Sequence, residues 1–212
     1  MKKTLILFLI LSILFSLYLL IQKGRLTLGY NDLRIVVNKQ QDSLNKALMQ
    51  SDYFNSLAMK NYQLGNLKIK KLDLYKFNDT GLKIKTKLPE GDKKKFIIRY
   101  SDIGCNTCVN LIFKRPERIK RIQEKFDIIV LVDFNRYEDF VLWKRASEIG
   151  NNVFWVKKGE LPFDSLFEPS SYSFILDEKL EVHSFFVPNN VFPDEVHNYL
   201  NILLNNNDKF QE

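Results

Sequence analysis

Sulfur is scarce in this chain. Its 212 residues include two cysteines and three methionines. With Cys105 and Cys108 as the whole supply, a cysteine can pair with the other, with another protein, or through a shared metal. A scaffold stapled by several disulfides is excluded. Histidine is as rare, and both examples, His183 and His197, lie far along the chain from the cysteines. A structural zinc site normally takes four Cys or His ligands, so the donors are few and dispersed. Alanine is missing before Ala47, and no Ala-x-Ala-like site follows the first apolar run. A cleaved leader is therefore not expected. No cysteine stands just after that run, which excludes a bacterial lipoprotein anchor. The net charge is +7, spread along the chain. Lys93-Lys94-Lys95 and the run from Lys68 to Lys71 read as solvated strand ends and turns. No basic face interleaved with stacking aromatics is present, so nucleic acid is not an expected partner. Mild attraction to an anionic membrane surface is the most that this charge implies.

Long apolar runs are also few, but one is complete. Residues Thr4 to Ile21 carry no charge. At about 1.5 Å per residue they make a helix of roughly 27 Å, close to the hydrocarbon thickness of a bilayer. Lys2 and Lys3 precede the run, and Lys23 and Arg25 follow it. We read residues 1–25 as an uncleaved transmembrane signal anchor. Basic residues flank both ends, so a charge count does not orient it. The usual outcome for this layout is a cytoplasmic N-terminus and an exported main domain, periplasmic in a Gram-negative bacterium. Export also places the cysteines where disulfide chemistry persists.

The cysteines themselves form Cys105-Asn106-Thr107-Cys108. The motif sits between a strand pattern and a helix pattern. A helix N-terminus carries partial positive charge and stabilises a thiolate on the first cysteine. The second cysteine, one turn on, is placed to resolve a mixed disulfide. Two plainer readings stand beside thiol exchange. One is half of a zinc site. The other is a structural disulfide, although a C-x-x-C bridge closes a very short loop and removes little unfolded-state entropy. No metal or cofactor is expected.

The rest of the chain reads as a stalk and one domain. Residues 26–65 are a helical stalk. Its Leu33, Val37, Leu44, Ala47, Phe54 and Ala58 fall on one face at near-heptad spacing, interrupted by Gln40 and Ser51. Weak dimerisation through that face is an expected possibility. The domain covers residues 66–205, followed by a polar tail, 206–212. Leu67 to Lys87 reads as two strands around an Asn78-Asp79-Thr80-Gly81 turn. Phe96–Tyr100 is a short, mostly apolar strand. A helix follows the cysteines, and Pro116 should kink or break it. Asp127 to Asp133 is the clearest buried strand. Tyr137 to Ile149 is a helix, and Val153 to Val156 a short strand or edge segment. A hairpin joins Tyr172–Leu176 to Leu180–Val187, and Pro193 opens a last helix to about Leu204. Strands separated by a helix should run parallel.

From about Leu67 to Leu204 the chain resembles the thioredoxin-like fold, an α/β class with a central mixed sheet flanked by helices. In particular it resembles the membrane-anchored, extracytoplasmic thiol-disulfide oxidoreductases. The resemblance rests on the strand Phe96–Tyr100, the C-x-x-C, the strand Ile128–Asp133, and YSFILDEKLEVHSFF followed by a helix. Three positions depart from the family pattern. Gly104 stands where the family commonly has Trp; Tyr100 or Trp155 is the expected substitute for that aromatic shelf. Ser171 stands where a cis-proline is expected, with Pro169 the nearest proline. Arg99 stands six residues before Cys105, where the family often has an acid or Asn. Facing the site, Arg99 would stabilise the thiolate; facing solvent, it would be an ordinary strand residue.

The resemblance implies that Cys105 attacks and Cys108 resolves, with Asn106 and Thr107 tuning the thiolate and Arg99 and Ser171 supporting the site. The expected partners are protein thiols or disulfides. Asp102 and Asp133, at strand ends, are candidate acids or bases as well as ordinary caps. His183 reads as structural or surface, and Trp143, Phe140 and Phe154 as core. A copper-binding variant of the fold would want C-x-x-x-C and a nearby His, and neither is present. The alternatives to an oxidoreductase are a catalytically weak thioredoxin-like binding module and a membrane-tethered scaffold.

Overall fold

A computed structural model describes residues 2–65, 67–69, 72–101, 106–147, 152–167 and 170–205; within these, the side chains of residues 2–7 and of Asn106 are not described. The chain divides into two compact units, Met1–Tyr53 and Phe54–Glu212.

Helix α1 runs from Lys2 to Leu64. Anchor and stalk, distinguished in the sequence, are one continuous helix. No proline precedes Pro89, and Gly24 and Gly29 each cost only about 1 kcal/mol in a helix interior. Among the described residues this is the one helix long and apolar enough to cross a membrane. Its Phe8, Leu11, Leu14 and Leu20 are all more than half exposed. That much uncovered leucine and phenylalanine suits an apolar solvent rather than water.

In the second unit, the end of α1 packs on the sheet. Leu57 and Leu64 join the core, and Lys60 lies over the Phe167 ring. Asn61 does more. Its Nδ2 donates to the Phe185 carbonyl at 3.0 Å, and its Oδ1 accepts the Phe185 N–H at 2.8 Å. Phe185 lies in β7 (Val182–Phe186), an outer strand. One amide therefore satisfies the free donor and acceptor that an unpaired edge would leave.

The sheet has seven strands: β1 (Leu74–Phe77), β2 (Lys83–Thr86), β3 (Lys95–Tyr100), β4 (Asp127–Val132), β5 (Val153–Trp155), β6 (Tyr172–Leu176) and β7. Their order is β2-β1-β5-β4-β3-β6-β7. β3 pairs parallel with β4, and β4 parallel with β5. β6 pairs antiparallel with β3 and with β7. Every residue of β3 is buried, as its apolar pattern predicts for a central strand. Val153–Val156, expected as a short strand or edge segment, does supply a short strand, β5, but an interior one, because the β1–β2 hairpin adds on beyond it. Gly81 closes that hairpin at φ +80; a Cβ there would lie 2.8 Å from the Tyr137 ring.

Helices cover both faces. α2 (Asn106–Phe113) and α3 (Pro116–Lys125) are the two halves of the helix that Pro116 divides. α4 (Tyr137–Ser147) follows β4, and α6 (Pro193–Asn205) follows β7. A short helix missing from the sequence reading, α5 (Asp164–Phe167), lies between β5 and β6. The alternation along β3 separates two cores. Phe96, Ile98 and Tyr100 meet Val109, Ile112, Ile122 and the α6 residues on one face. Ile97 joins Leu131, Phe163, Phe167 and Phe174 on the other.

The Asn61 contact yields the first prediction. Asn61→Ala removes three hydrogen bonds, one to the Leu57 carbonyl and two to Phe185, and leaves the Phe185 backbone groups without the amide. It should lower stability by about 1–3 kcal/mol, read as a reduced denaturation midpoint with an unchanged slope. A loss indistinguishable from zero would show that water replaces the amide freely.

Candidate functional site

The parallel strands β3 and β4 end on the same side, and β6 begins there. In parallel sheets, the edge beyond the strand C-termini is where functional groups collect. The chain leaves β3 at Ser101, passes through residues 102–105, and enters α2 at Asn106. Cys105, Asp102 and Gly104 lie outside the described residues. Thr107 is exposed, while Cys108, one position on, is 5% exposed. Among the described residues no cysteine is free, and the Cys108 sulfur is in a disulfide.

Beside this end of the sheet lies a buried charge cluster. Arg99, in β3, is 2% exposed. Its Nη2 donates to Asp133 Oδ2 at 2.8 Å and its Nε to Asp164 Oδ1 at 3.2 Å. Its Nη1 donates to the Tyr100 carbonyl. The Tyr172 hydroxyl donates to the same Asp164 oxygen, and the Leu161 N–H to the other. Burial alone would pull the Arg99 guanidinium down, but Asp133, Asp164 and Tyr172 raise it overall. Burial, then Asp164, pushes the Tyr172 hydroxyl well above the usual tyrosine range, so it stays a proton donor.

The solvent-facing placement of Arg99 is thereby corrected, since the side chain is 2% exposed. Its charge is committed to two buried carboxylates, because a guanidinium inside a sheet is tolerable only when paired. Asp133, a candidate acid or base, is likewise held in an ion pair. Ser171 is 2% exposed, and its Oγ accepts the Ser101 N–H at 3.1 Å. A side chain thus ties the start of β6 to the end of β3 at the position where proline was expected. Among the described residues the buried Ser101 hydroxyl has no hydrogen-bond partner.

The substitute aromatic shelf does not form from Tyr100, which is 1% exposed between Phe134 and Trp143. Trp155 faces Tyr75 and the Lys83 ammonium, and its Nε1 donates to the Phe134 carbonyl. A cavity of about 440 Å³ opens between α2 and α4, lined by Tyr100, Asn110, Phe134, Asp139 and Trp143. Phe140 and Phe154 are core, as expected, and Trp143 is partly buried against the same cluster. His183 hydrogen-bonds Asp177 at the β6–β7 turn, 3.2 Å away, which agrees with a structural role.

The order now in view is a central strand, a broken helix, a parallel strand, a helix, then an antiparallel hairpin and a last helix. The fold is thioredoxin-like. No protein-family model matches the chain, and no curated protein does. Among solved structures it is similar to a thioredoxin-like protein from Porphyromonas gingivalis, at 13% identity over 63% of this chain and 90% of that one, with a TM-score of 0.44. It is similar to StoA from Bacillus subtilis, at 14% identity over 62% and 97% of the two chains, TM-score 0.43. It is also similar to a putative thiol:disulfide interchange protein DsbE from Chlorobium tepidum, at 12% identity over 65% and 99%, TM-score 0.41. At that identity and score the likeness adds nothing about chemistry.

Asp164 and Tyr172 escaped the sequence reading, yet a signal existed. An arginine inside the apolar strand Phe96–Tyr100 demands buried acids nearby. The prediction concerns this cluster. Arg99→Met should cost about 3–5 kcal/mol, because it leaves carboxylates buried without their cation. Denaturation of wild type and variant checks this; a deficit under about 1 kcal/mol would overturn it.

Proposed function

We propose that this chain is a membrane-tethered thioredoxin-like protein that carries out thiol-disulfide exchange through Cys105 and Cys108. The observation that carries the reading is the disulfide at Cys108. This buried sulfur lies in the first turns of α2, directly beyond the central strand of a thioredoxin-like sheet. The chain has one other cysteine, Cys105, three residues back. In the reduced form the Cys105 thiolate attacks a partner disulfide. A bond forms between Cys105 and one partner sulfur, and the other partner sulfur leaves as a thiolate. Cys108 then attacks the Cys105 sulfur, re-forms the internal disulfide and releases the second partner thiolate. Two electrons pass to the partner. The same steps reversed oxidise a partner dithiol, and the relative potentials set the direction.

Burial suits Cys108 to the resolving role. At 5% exposure its sulfur is shielded from solvent. The position of Cys105 before a helix N-terminus suits it to attack, since the helix field favours the thiolate. Arg99 adds little to that field, because two carboxylates neutralise it. The long apolar helix supports a tether, with the domain on the extracytoplasmic side and protein thiols or disulfides as partners.

The Cys108→Ser variant should trap a mixed disulfide between Cys105 and a partner, since attack continues and resolution stops. Cys105→Ser should trap several-fold less, because the remaining thiol is recessed. Non-reducing gels of each variant from the exporting cell, with identification of the trapped species, decide it. No reducible adduct on Cys108→Ser would sink the exchange reading and leave a binding module.

The tether makes its own prediction. Residues 1–23 should remain on the mature protein, and the protein should stay with membranes through a high-salt wash. Intact mass of native protein checks this; a mature start near residue 24 would defeat it.

A further inference from the structure

Helix α1 carries a pattern that the domain does not use. Leu26, Leu33, Gln40 and Ala47 repeat every seven residues, and Tyr30, Val37, Leu44 and Ser51 repeat in step, four residues further on. Steps of four and three place both sets on one stripe. Leu26, Tyr30, Leu33, Val37 and Leu44 are each between 52% and 73% exposed, and all lie in the first compact unit. The charges avoid this stripe. Asp32, Lys39, Asp42, Lys46 and Asp52 fall on the opposite side of the helix, and Arg34 flanks the seam. A helix standing in water alone has no reason to segregate its charges in this way.

We propose that residues 26–51 form a parallel two-stranded coiled coil with a second copy of this chain. Four observations commit the occupant. A seven-residue repeat, rather than the straight-helix period, fits a partner helix that supercoils with it. The stripe is self-complementary: apolar positions meet their own counterparts, and no like charges face each other across the seam. The helix is unbroken over this span, which at about 1.5 Å per residue is roughly 39 Å. Two copies anchored through their N-terminal segments enter one membrane with the same polarity, which favours the parallel arrangement. Gln40 is the polar position inside the seam. A buried amide there lowers affinity and holds the register. The proposal rests on this helix and the anchor, not on the thiol chemistry.

The test uses the full chain in detergent micelles or nanodiscs, with molar mass read by light scattering across a dilution series. Wild type should be dimeric at high concentration and dissociate on dilution. Val37→Lys and Leu44→Lys should each raise the dimer Kd by about a hundredfold or more, since each change buries two lysines at the seam. Ile35→Lys and Met49→Lys are the controls. These residues are just as exposed, at 65% and 57%, but lie off the stripe, and their Kd should stay within a few-fold of wild type. Gln40→Leu should tighten the dimer by about tenfold. A wild type that stays monomeric overturns the proposal. So does equal weakening by seam and control variants, and so does a dimer indifferent to both, which would locate association in the anchor or in another protein.

Discussion

A guanidinium buried inside the sheet constrains this domain more than any other group. Arg99 belongs to β3, Asp133 follows β4, Asp164 opens α5, and Tyr172 starts β6. Those elements are brought into one geometry because each supplies a group that the others need. Desolvating one cation and two carboxylates costs several kcal/mol per ion unless every charge finds its partners. The cluster therefore selects the arrangement in which β3 and β4 end beside the start of β6. That arrangement also places the start of α2, and with it Cys108, at the common edge.

The same cluster changes what the thiol site has at its disposal. A free cation beside a cysteine would favour its thiolate, whereas Arg99 is tied to acids and keeps its charge for the fold. In the proposed exchange, activation of Cys105 would fall mainly to the helix end. A second tie runs nearby, from the Ser101 N–H to the Ser171 hydroxyl. Here a side chain does the joining where a proline would have offered only backbone. The site is thus built on polar contacts buried under the sheet edge, with the aromatic rings of Tyr100, Phe134 and Trp143 packed beneath α2 and α4 rather than displayed.

Helix α1 changes its surface along its length. Its first part is apolar all round, its middle keeps its charges off one side, and its end packs on the sheet through Leu57, Asn61 and Leu64. An apolar circumference suits lipid, a narrow stripe suits another helix, and a single amide aimed at Phe185 suits a strand edge.

Much of this was legible in the chain itself. The run of apolar residues between charged flanks, the unbroken strands Phe96–Tyr100 and Ile128–Val132, the proline that divides α2 from α3, and the Asn78–Gly81 turn are local signals. They follow from backbone sterics and from the period of burial, which neighbouring residues report. The C-x-x-C spacing is local too. Tertiary structure alone decided the destinations of long-range partners. Nothing near Arg99 in sequence reveals that Asp164, or a hydroxyl at Tyr172, will neutralise it. Nothing near Val153 shows that a hairpin formed far upstream will make β5 an interior strand. Such pairings join residues distant along the chain, and their energies come from desolvation and packing, which exist only once the sheet has closed around them.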